Sequence, residues 1–352
     1  MVKAKNKVLM TGNEAMAEGA IQSGCRFYAG YPITPQNEIP AYMAKRMPEV
    51  AGVFIQAESE IAAINMVFGA AACGARAMTS SSSPGISLKQ EGISYLAGAE
   101  LPAVILNVMR AGPGLGNITP AQSDYFQATR SGGHGDYHCI VLAPSSVQEA
   151  YDFMPLAFDL ADKYRIPVIV LGDGMLGQMM EPLQVTTSPS HKATPQNKKW
   201  ALTGCKGRPP NVIKSFYMVQ GKLEQFNLLL QKKYSAIQAK EERWEDLFLD
   251  DARIILVAYG TMARIAKSAV MSLRKKGKKI GLIRPITLWP FPKNVFARRA
   301  RKPTFLVVEM SYGQMVEDVK LALNGKAKVE FLGRSGGGIP TEGEILKSLL
   351  RL

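Results

Sequence analysis

The chain predicts an α/β protein, a doubly wound parallel sheet followed by a second, smaller α/β unit, and three observations carry that reading. Two runs, PAVILNVM at 102–109 and PVIVLGDGML at 167–176, are apolar without alternation, as strands covered on both faces must be. Helical patterns fall between them, the βαβ signature of a parallel sheet. The alternation lapses from Met180 to about Glu241, where Pro, Ser, Lys and Asn accumulate, and resumes at Asp251. At 352 residues there is length for two cores.

In chain order, KVLMT reads as a short strand, Thr11 or Asn13 as the start of a helix, Gly24 as its stop, and the next strand runs through Tyr28. YPITP follows, where Pro32 and Pro35 stiffen a loop that displays the Thr34 hydroxyl. A stiff turn after a strand is common, but a hydroxyl clamped at a strand end also suits substrate contact. A helix over Glu38 to Arg46 and a strand near Val53 to Gln56 lead to QAESEIAAINMVFGAAACGARAMTSSSSPG. Its small residues, Ala62 to Ala75, let another backbone or a flat ligand approach, and it is too apolar for a surface helix. Glu60 at its mouth suits an acid in an apolar pocket, where desolvation raises a carboxyl's pKa. Glu58 and Glu60 suit equally the positive end of a helix dipole.

Arg110 stands at the carboxyl end of PAVILNVM, before a loop rich in Gly and Pro, where it can grip a carboxylate or lie on the surface. His134, His138 and Cys139 cluster without a fourth ligand, so no metal is assigned. VQEAYDFMPLAFDLADKYRI is an amphipathic helix, LEQFNLLLQKKYSAIQ a helix inside the arm, and Thr341 with Glu344 a capping box opening the last helix.

Forty-three basic against 29 acidic residues give a net charge of +14, concentrated after Lys192 in patches poor in aromatics. Such patches fit solvated faces or subunit contacts, so nucleic acid is not expected. Four cysteines without a CxxC pair provide no iron–sulfur or zinc site. No apolar run approaches a membrane span, and the basic N-terminus has no signal-peptide core, so a soluble cytoplasmic protein is expected.

YPITP, SEIAAINMVFGAAACGARAMT, TSSSSPGISL, NVMRAGPGLG, HGDY, IRPITLWPFP and EMSYGQ, in this order, resemble the alpha-type subunit of 2-oxoacid:ferredoxin oxidoreductases. TSSSSPGISLKQEGISYLAGAELP, QSDYFQAT and GGHGDY point within it to the 3-methyl-2-oxobutanoate (2-oxoisovalerate) branch. The resemblance covers nearly the whole chain except about 188–241. It implies a pyrimidine-binding-type thiamine diphosphate domain over 1–187, a connecting arm over 188–241 and a transketolase-C-terminal-like domain over 242–352. The implied reaction is CoA-dependent oxidative decarboxylation of a 2-oxo acid to an acyl-CoA and CO2, with electrons passed to ferredoxin. 2-Oxoglutarate or pyruvate as substrate, or a non-catalytic scaffold role, remain alternatives.

By the same resemblance Glu60 is the catalytic residue, hydrogen-bonded to the aminopyrimidine ring nitrogen and promoting loss of the thiazolium C2 proton. Thr34 and Arg110 bind the 2-oxo acid, and Ser81, Ser82 and Ser83 shape the loop beside the cofactor. Gly172-Asp173-Gly174 imitates the start of a diphosphate-binding signature, but no asparagine pair follows, so it reads as a strand-end turn. Magnesium and diphosphate are then held by a beta-type subunit, and [4Fe-4S] clusters by gamma-type and ferredoxin-like subunits of a hetero-oligomer.

Overall fold

The computed structural model describes residues 7–185, 198–298 and 303–352; part of the expected arm, 188–197, lies outside them. In chain order the strands are β1 (Val8–Thr11), β2 (Phe27–Gly30), β3 (Val53–Gln56), β4 (Ala77–Ser81), β5 (Ala103–Met109), β6 (Ile140–Leu142), β7 (Pro167–Asp173) and β8 (Met180–Leu183). They continue with β9 (Trp244–Leu247), β10 (Ile254–Val257), β11 (Ile280–Pro285), β12 (Thr287–Trp289), β13 (Thr304–Glu309) and β14 (Val329–Gly333).

Seven strands form the main sheet in the order β12-β6-β7-β5-β4-β2-β3, parallel except for β12. Strands β4, β5 and β7 are buried along their whole length, which explains their lack of alternation. The chain steps outward from β2 to β3 and returns to β4 on the other side of β2, so the winding reverses between β2 and β4. Ligands of open α/β sheets gather beyond the carboxyl ends of the strands at such a point.

Helices α1 (Gly12–Gln22), α2 (Glu38–Arg46), α3 (Glu60–Ala72), α4 (Ser83–Gly98), α5 (Tyr125–Thr129), α6 (Val147–Tyr164) and α7 (Gly174–Gln178) accompany this sheet. Thr11 caps α1 in a capping box with Glu14, and Ser59 caps α3. Asp173 ends β7 and accepts from the Met175 and Leu176 amides of α7, so the Gly-Asp-Gly segment is a strand-end turn.

The second sheet has the order β14-β13-β10-β11-β9, with only β9 antiparallel. Helices α8 (Lys222–Lys240), α9 (Gly260–Lys275), α10 (Lys293–Ala297), α11 (Met315–Leu323) and α12 (Glu342–Leu349) complete the chain, and α12 opens on the Thr341–Glu344 capping box. The two sheets are tied together at several points. Arg284 of β11 reaches both carboxylate oxygens of Glu149 at 2.7 and 2.8 Å, and Asp173 accepts from Thr261 Oγ1 at 2.8 Å.

Four expectations need correction. KVLMT does not enter the main sheet, because β1 pairs antiparallel with β8 in a two-stranded ribbon. KIGLIRPITLWPFP, which reads as one strand and a loop, is two strands, β11 in the second sheet and β12 on the edge of the first. The arm is not free of core: α8 buries Leu230, Tyr234 and Ile237, and Tyr234 meets His138 and Trp289 edge-on. Helix α3 is not enclosed in this chain, since Ile61, Asn65 and Gly69 form an exposed stripe at i, i+4 and i+8.

Candidate active site

Every residue singled out from the sequence as a site residue lies at or beyond the carboxyl end of β2, β3, β4 or β5. The YPITP loop leaves β2 and is held from several sides. Asn13 Nδ2 and Gln178 Nε2 donate to the Pro35 carbonyl at 2.8 and 2.9 Å. Ser80 Oγ of β4 donates to Gln36 Oε1 at 2.5 Å and pairs with the buried Tyr28 hydroxyl at 2.7 Å. Thr34 is thereby presented at the switch point, its Oγ1 accepting from Asn37 Nδ2 at 3.4 Å.

Arg110 follows β5 and is 7% exposed. Its Nη1 donates to the Thr34 carbonyl at 3.0 Å and its Nη2 to the Leu115 carbonyl at 2.9 Å, while the buried Nε has no partner. Two anchored nitrogens fix the guanidinium plane and leave the Nε edge free for an acceptor.

Glu60 is the first residue of α3 and is 5% exposed, whereas Glu58 two residues earlier is exposed. The fold thus separates the two carboxylates, burying Glu60 and leaving Glu58 in solvent. Gly85, in the first turn of α4, lies so close that a Cβ there would overlap Glu60 Oε1 and Ser81 Oγ. Ser81 Oγ and Ser82 Oγ are buried without a hydrogen-bond partner. Buried hydroxyls are nearly always paired, so two orphans, one of which shares the Gly85 contact with the Glu60 carboxyl, suit an external polar ligand. Ser83 differs: its Oγ donates to Asp124 Oδ2 at 2.6 Å and accepts from the Arg110 amide at 3.0 Å. Ser83 positions the strand end that carries Arg110.

Sequence reading missed Asp124, Asn107 and Lys89. Asp124 Oδ2 also accepts from Asn107 Nδ2 at 2.9 Å, and burial raises its carboxyl's pKa against the lowering effect of Ser83 and Asn107. A raised pKa means that ionisation costs stability in the fold: the contribution is full below the ordinary carboxylate value and lost as pH rises. Both donors reach one oxygen, which an amide can supply. Asp124→Asn is therefore expected to gain Tm over the wild type increasingly from pH 5 to pH 8 in thermal melts; an unchanged difference would refute this. Lys89 is fully buried where α4 packs on α3 and donates to the Glu60 carbonyl at 3.4 Å. It shares a helix face with Ile86, Ile93 and Leu96, and a cation on a core stripe was its available signal.

His134 and His138 are packing groups. His138 stacks on Trp289 with ring centroids 4.5 Å apart, and burial lowers its pKa; His134 meets Tyr95 edge-on. Among the described residues no group of three or more His, Cys, Asp or Glu is arranged to hold a metal.

Comparison with known proteins defines the class first. The family described as pyruvate flavodoxin/ferredoxin oxidoreductase, thiamine diphosphate-binding, matches residues 18–226, and pyruvate:ferredoxin oxidoreductase core domain II matches 252–345. The ketoisovalerate oxidoreductase subunit VorB of Methanothermobacter marburgensis is 52% identical over 343 residues, 97% of this chain and 96% of that one. The 2-oxoglutarate synthase subunit KorA of Archaeoglobus fulgidus is 41% identical over 317 residues, 89% of this chain and 90% of that one. A solved 2-oxoglutarate:ferredoxin oxidoreductase from Magnetococcus marinus, with 2-oxoglutarate, coenzyme A and succinyl-CoA bound, superposes with a TM-score of 0.86 at 25% identity. That match covers 99% of this chain and 65% of the longer one. A split-gene transketolase shares the fold alone, with a TM-score of 0.57 at 12% identity over 97% of each chain. The chain belongs to the 2-oxoacid:ferredoxin oxidoreductase family, as a subunit of such an enzyme. Orphaned Ser81 and Ser82 hydroxyls and the buried Glu60, approached closely by the backbone at Gly85, fit a bound aminopyrimidine.

Proposed function

We propose that this chain is the pyrimidine-binding, alpha-type subunit of a 2-oxoisovalerate:ferredoxin oxidoreductase, converting the branched 2-oxo acid and CoA to acyl-CoA and CO2. The observation that carries the catalytic assignment is Glu60, buried at the head of α3 and sharing the close approach of Gly85 with the unpartnered Ser81 hydroxyl. The 52% identity to VorB favours the branched acid over 2-oxoglutarate or pyruvate. The domain division proposed is 1–187, 188–241 and 242–352, with β12 and α8 crossing over to pack on the first unit.

Thiamine diphosphate, when bound, supplies the nucleophilic carbon and electron sink that decarboxylation of a 2-oxo acid requires. Glu60 hydrogen-bonds its aminopyrimidine and exchanges a proton at the carboxyl oxygen. Ser81 and Ser82 line the same pocket. Asn37 occupies an acceptor position on Thr34 Oγ1, leaving that hydroxyl's own proton free for the 2-oxo group. Arg110 Nε faces the substrate carboxylate, with both Nη atoms held by carbonyls.

A partner covers the site. Ile61, Leu88, Leu115 and Ile118, from α3, α4 and the loop after β5, are 51, 51, 81 and 62% exposed. Apolar side chains concentrated in this way suit a subunit interface. We assign magnesium and the diphosphate group to a beta-type subunit and the [4Fe-4S] clusters to gamma-type and ferredoxin-like subunits of a cytoplasmic hetero-oligomer. Among the described residues no helix is long and apolar enough to cross a membrane.

The test is anaerobic, CoA-dependent viologen reduction by the co-expressed complex offered 2-oxoisovalerate, pyruvate and 2-oxoglutarate. Preference for the branched acid supports the proposal, preference for another overturns the substrate, and inactivity of a fully loaded complex overturns the catalytic role in favour of a scaffold. In the same assay Arg110→Lys is expected to lower kcat/KM about 10- to 100-fold, because an ammonium cannot reproduce the fixed fork. Wild-type kcat/KM in that variant would remove Arg110 from the substrate site.

A further inference from the structure

Burying an ammonium costs several kcal/mol unless its donors are satisfied, and a methionine could fill the same helix seam without that cost. Lys89 is fully buried and carries one long hydrogen bond, 3.4 Å to the Glu60 carbonyl. The seam is tight on both sides of it. Gly92, one turn further along α4, has no room for a Cβ against Ile64 of α3, and Gly85, one turn earlier, has none against Glu60. The lysine therefore has no route to solvent, and its head group is committed to the start of α3.

The other elements packed on α4 offer it little. Strand β5 brings no ionisable side chain, and β7 brings only Asp173, which is engaged by Thr261 and the α7 amides. His134, in the loop beside α4, lies against Tyr95, and Glu91 accepts from the Tyr95 hydroxyl at 2.5 Å. The charge acting on Lys89 is that of Glu60.

We propose that Lys89 is a positioning residue for Glu60, holding the backbone that carries the carboxyl and placing a positive counter-charge beside it within the α3–α4 seam. The inference rests on the catalytic assignment of Glu60 above. Burial pushes the Lys89 ammonium down to about 8, with the Glu60 charge opposing the shift. The counter-charge is then present at neutral pH and lost as pH rises through that value, whereas an arginine keeps it throughout.

The experiment uses the assembled complex and compares wild type, Lys89→Arg, Lys89→Met and Glu60→Gln. Two quantities are followed from pH 6 to pH 10: kcat/KM for the 2-oxo acid, and the calorimetric Kd of thiamine diphosphate with Mg2+ for the cofactor-depleted complex. Wild type is expected to lose kcat/KM and to bind the cofactor more weakly above about pH 8. Lys89→Arg should lack that alkaline limb. Lys89→Met should have neither limb nor full rate, with kcat about tenfold lower at pH 7 and KM little changed, since a pKa unit corresponds to a tenfold change.

The same alkaline limb in all Lys89 variants, with wild-type kcat in Lys89→Met, would overturn the proposal while leaving Glu60 in place, provided Glu60→Gln is inactive. An active Glu60→Gln instead removes the catalytic assignment itself. If Lys89→Met does not assemble, Lys89→Gln, which keeps a donor without the charge, is read in its stead. Failure of both neutral variants to assemble also overturns the proposal and makes Lys89 a packing residue.

Discussion

Glu60→Gln is expected to abolish most turnover while leaving the subunit folded and assembled. The substitution keeps size and hydrogen-bonding capacity at the head of α3, where Ser59 continues to cap the helix. It removes the group that can hold and release a proton, and positioned acid–base catalysis contributes about 100- to 10,000-fold. The loss should appear in kcat for viologen reduction, with the Tm of the complex within a few degrees of wild type and thiamine diphosphate still bound in calorimetry. A variant that retains more than a tenth of wild-type kcat would exclude Glu60 as the proton carrier.

Gly85→Ala tests the geometry around that carboxyl without touching any polar group. A Cβ at residue 85 would overlap Ser81 Oγ, on a fully buried strand, and Glu60 Oε1. Alanine in a helix gains about 1 kcal/mol over glycine, while overpacking a tight interior costs about 1–3 kcal/mol, so the net effect on stability is small or unfavourable. The effect on rate is larger. The strand cannot yield easily, so the Glu60 carboxylate must move, and a misplacement of about 1 Å at a reacting group costs about 100-fold. A kcat near wild type in Gly85→Ala, with the cofactor bound, would show that the carboxyl can be displaced without consequence.

Both predictions depend on residues that a sequence reader could reach to different degrees. Glu60 was visible as a carboxylate heading an apolar helix, and Arg110 and Thr34 as polar groups at strand ends; the resemblance of their motifs to one family gave each a role. Gly85 stood out only as the end of the serine loop. Its importance comes from the approach of α4 to α3, which no local pattern encodes. Asp124 was hidden for the same reason, since an aspartate before a tyrosine has no spacing signature, and Lys89 showed only as a cation on a core stripe; their partners are 41 and 29 residues away in the chain.

The split of KIGLIRPITLWPFP between two sheets shows a related limit. The run is apolar apart from Lys279, Arg284 and Thr287, and residues 280–289 are all buried except the half-buried Ile286. Burial on every side erases the periodicity that would reveal where one strand ends and the next begins. The helix in the arm was legible from its pattern, yet its contact with His138 and Trp289 was not, because aromatic packing across 96 and 55 residues leaves no local trace.

By itself the sequence determined the alternation of strands and helices, the capping box at Thr341, and the motifs of the family, while leaving the first helix to start at Thr11 or Asn13. Each depends on residues within a few positions of one another, where backbone geometry and side-chain chemistry act locally. Only the tertiary structure decided which glutamate is buried, which serines lack partners, and that a buried lysine meets the first residue of α3. Those outcomes are set by how distant elements pack, and by what the packing leaves unpaired.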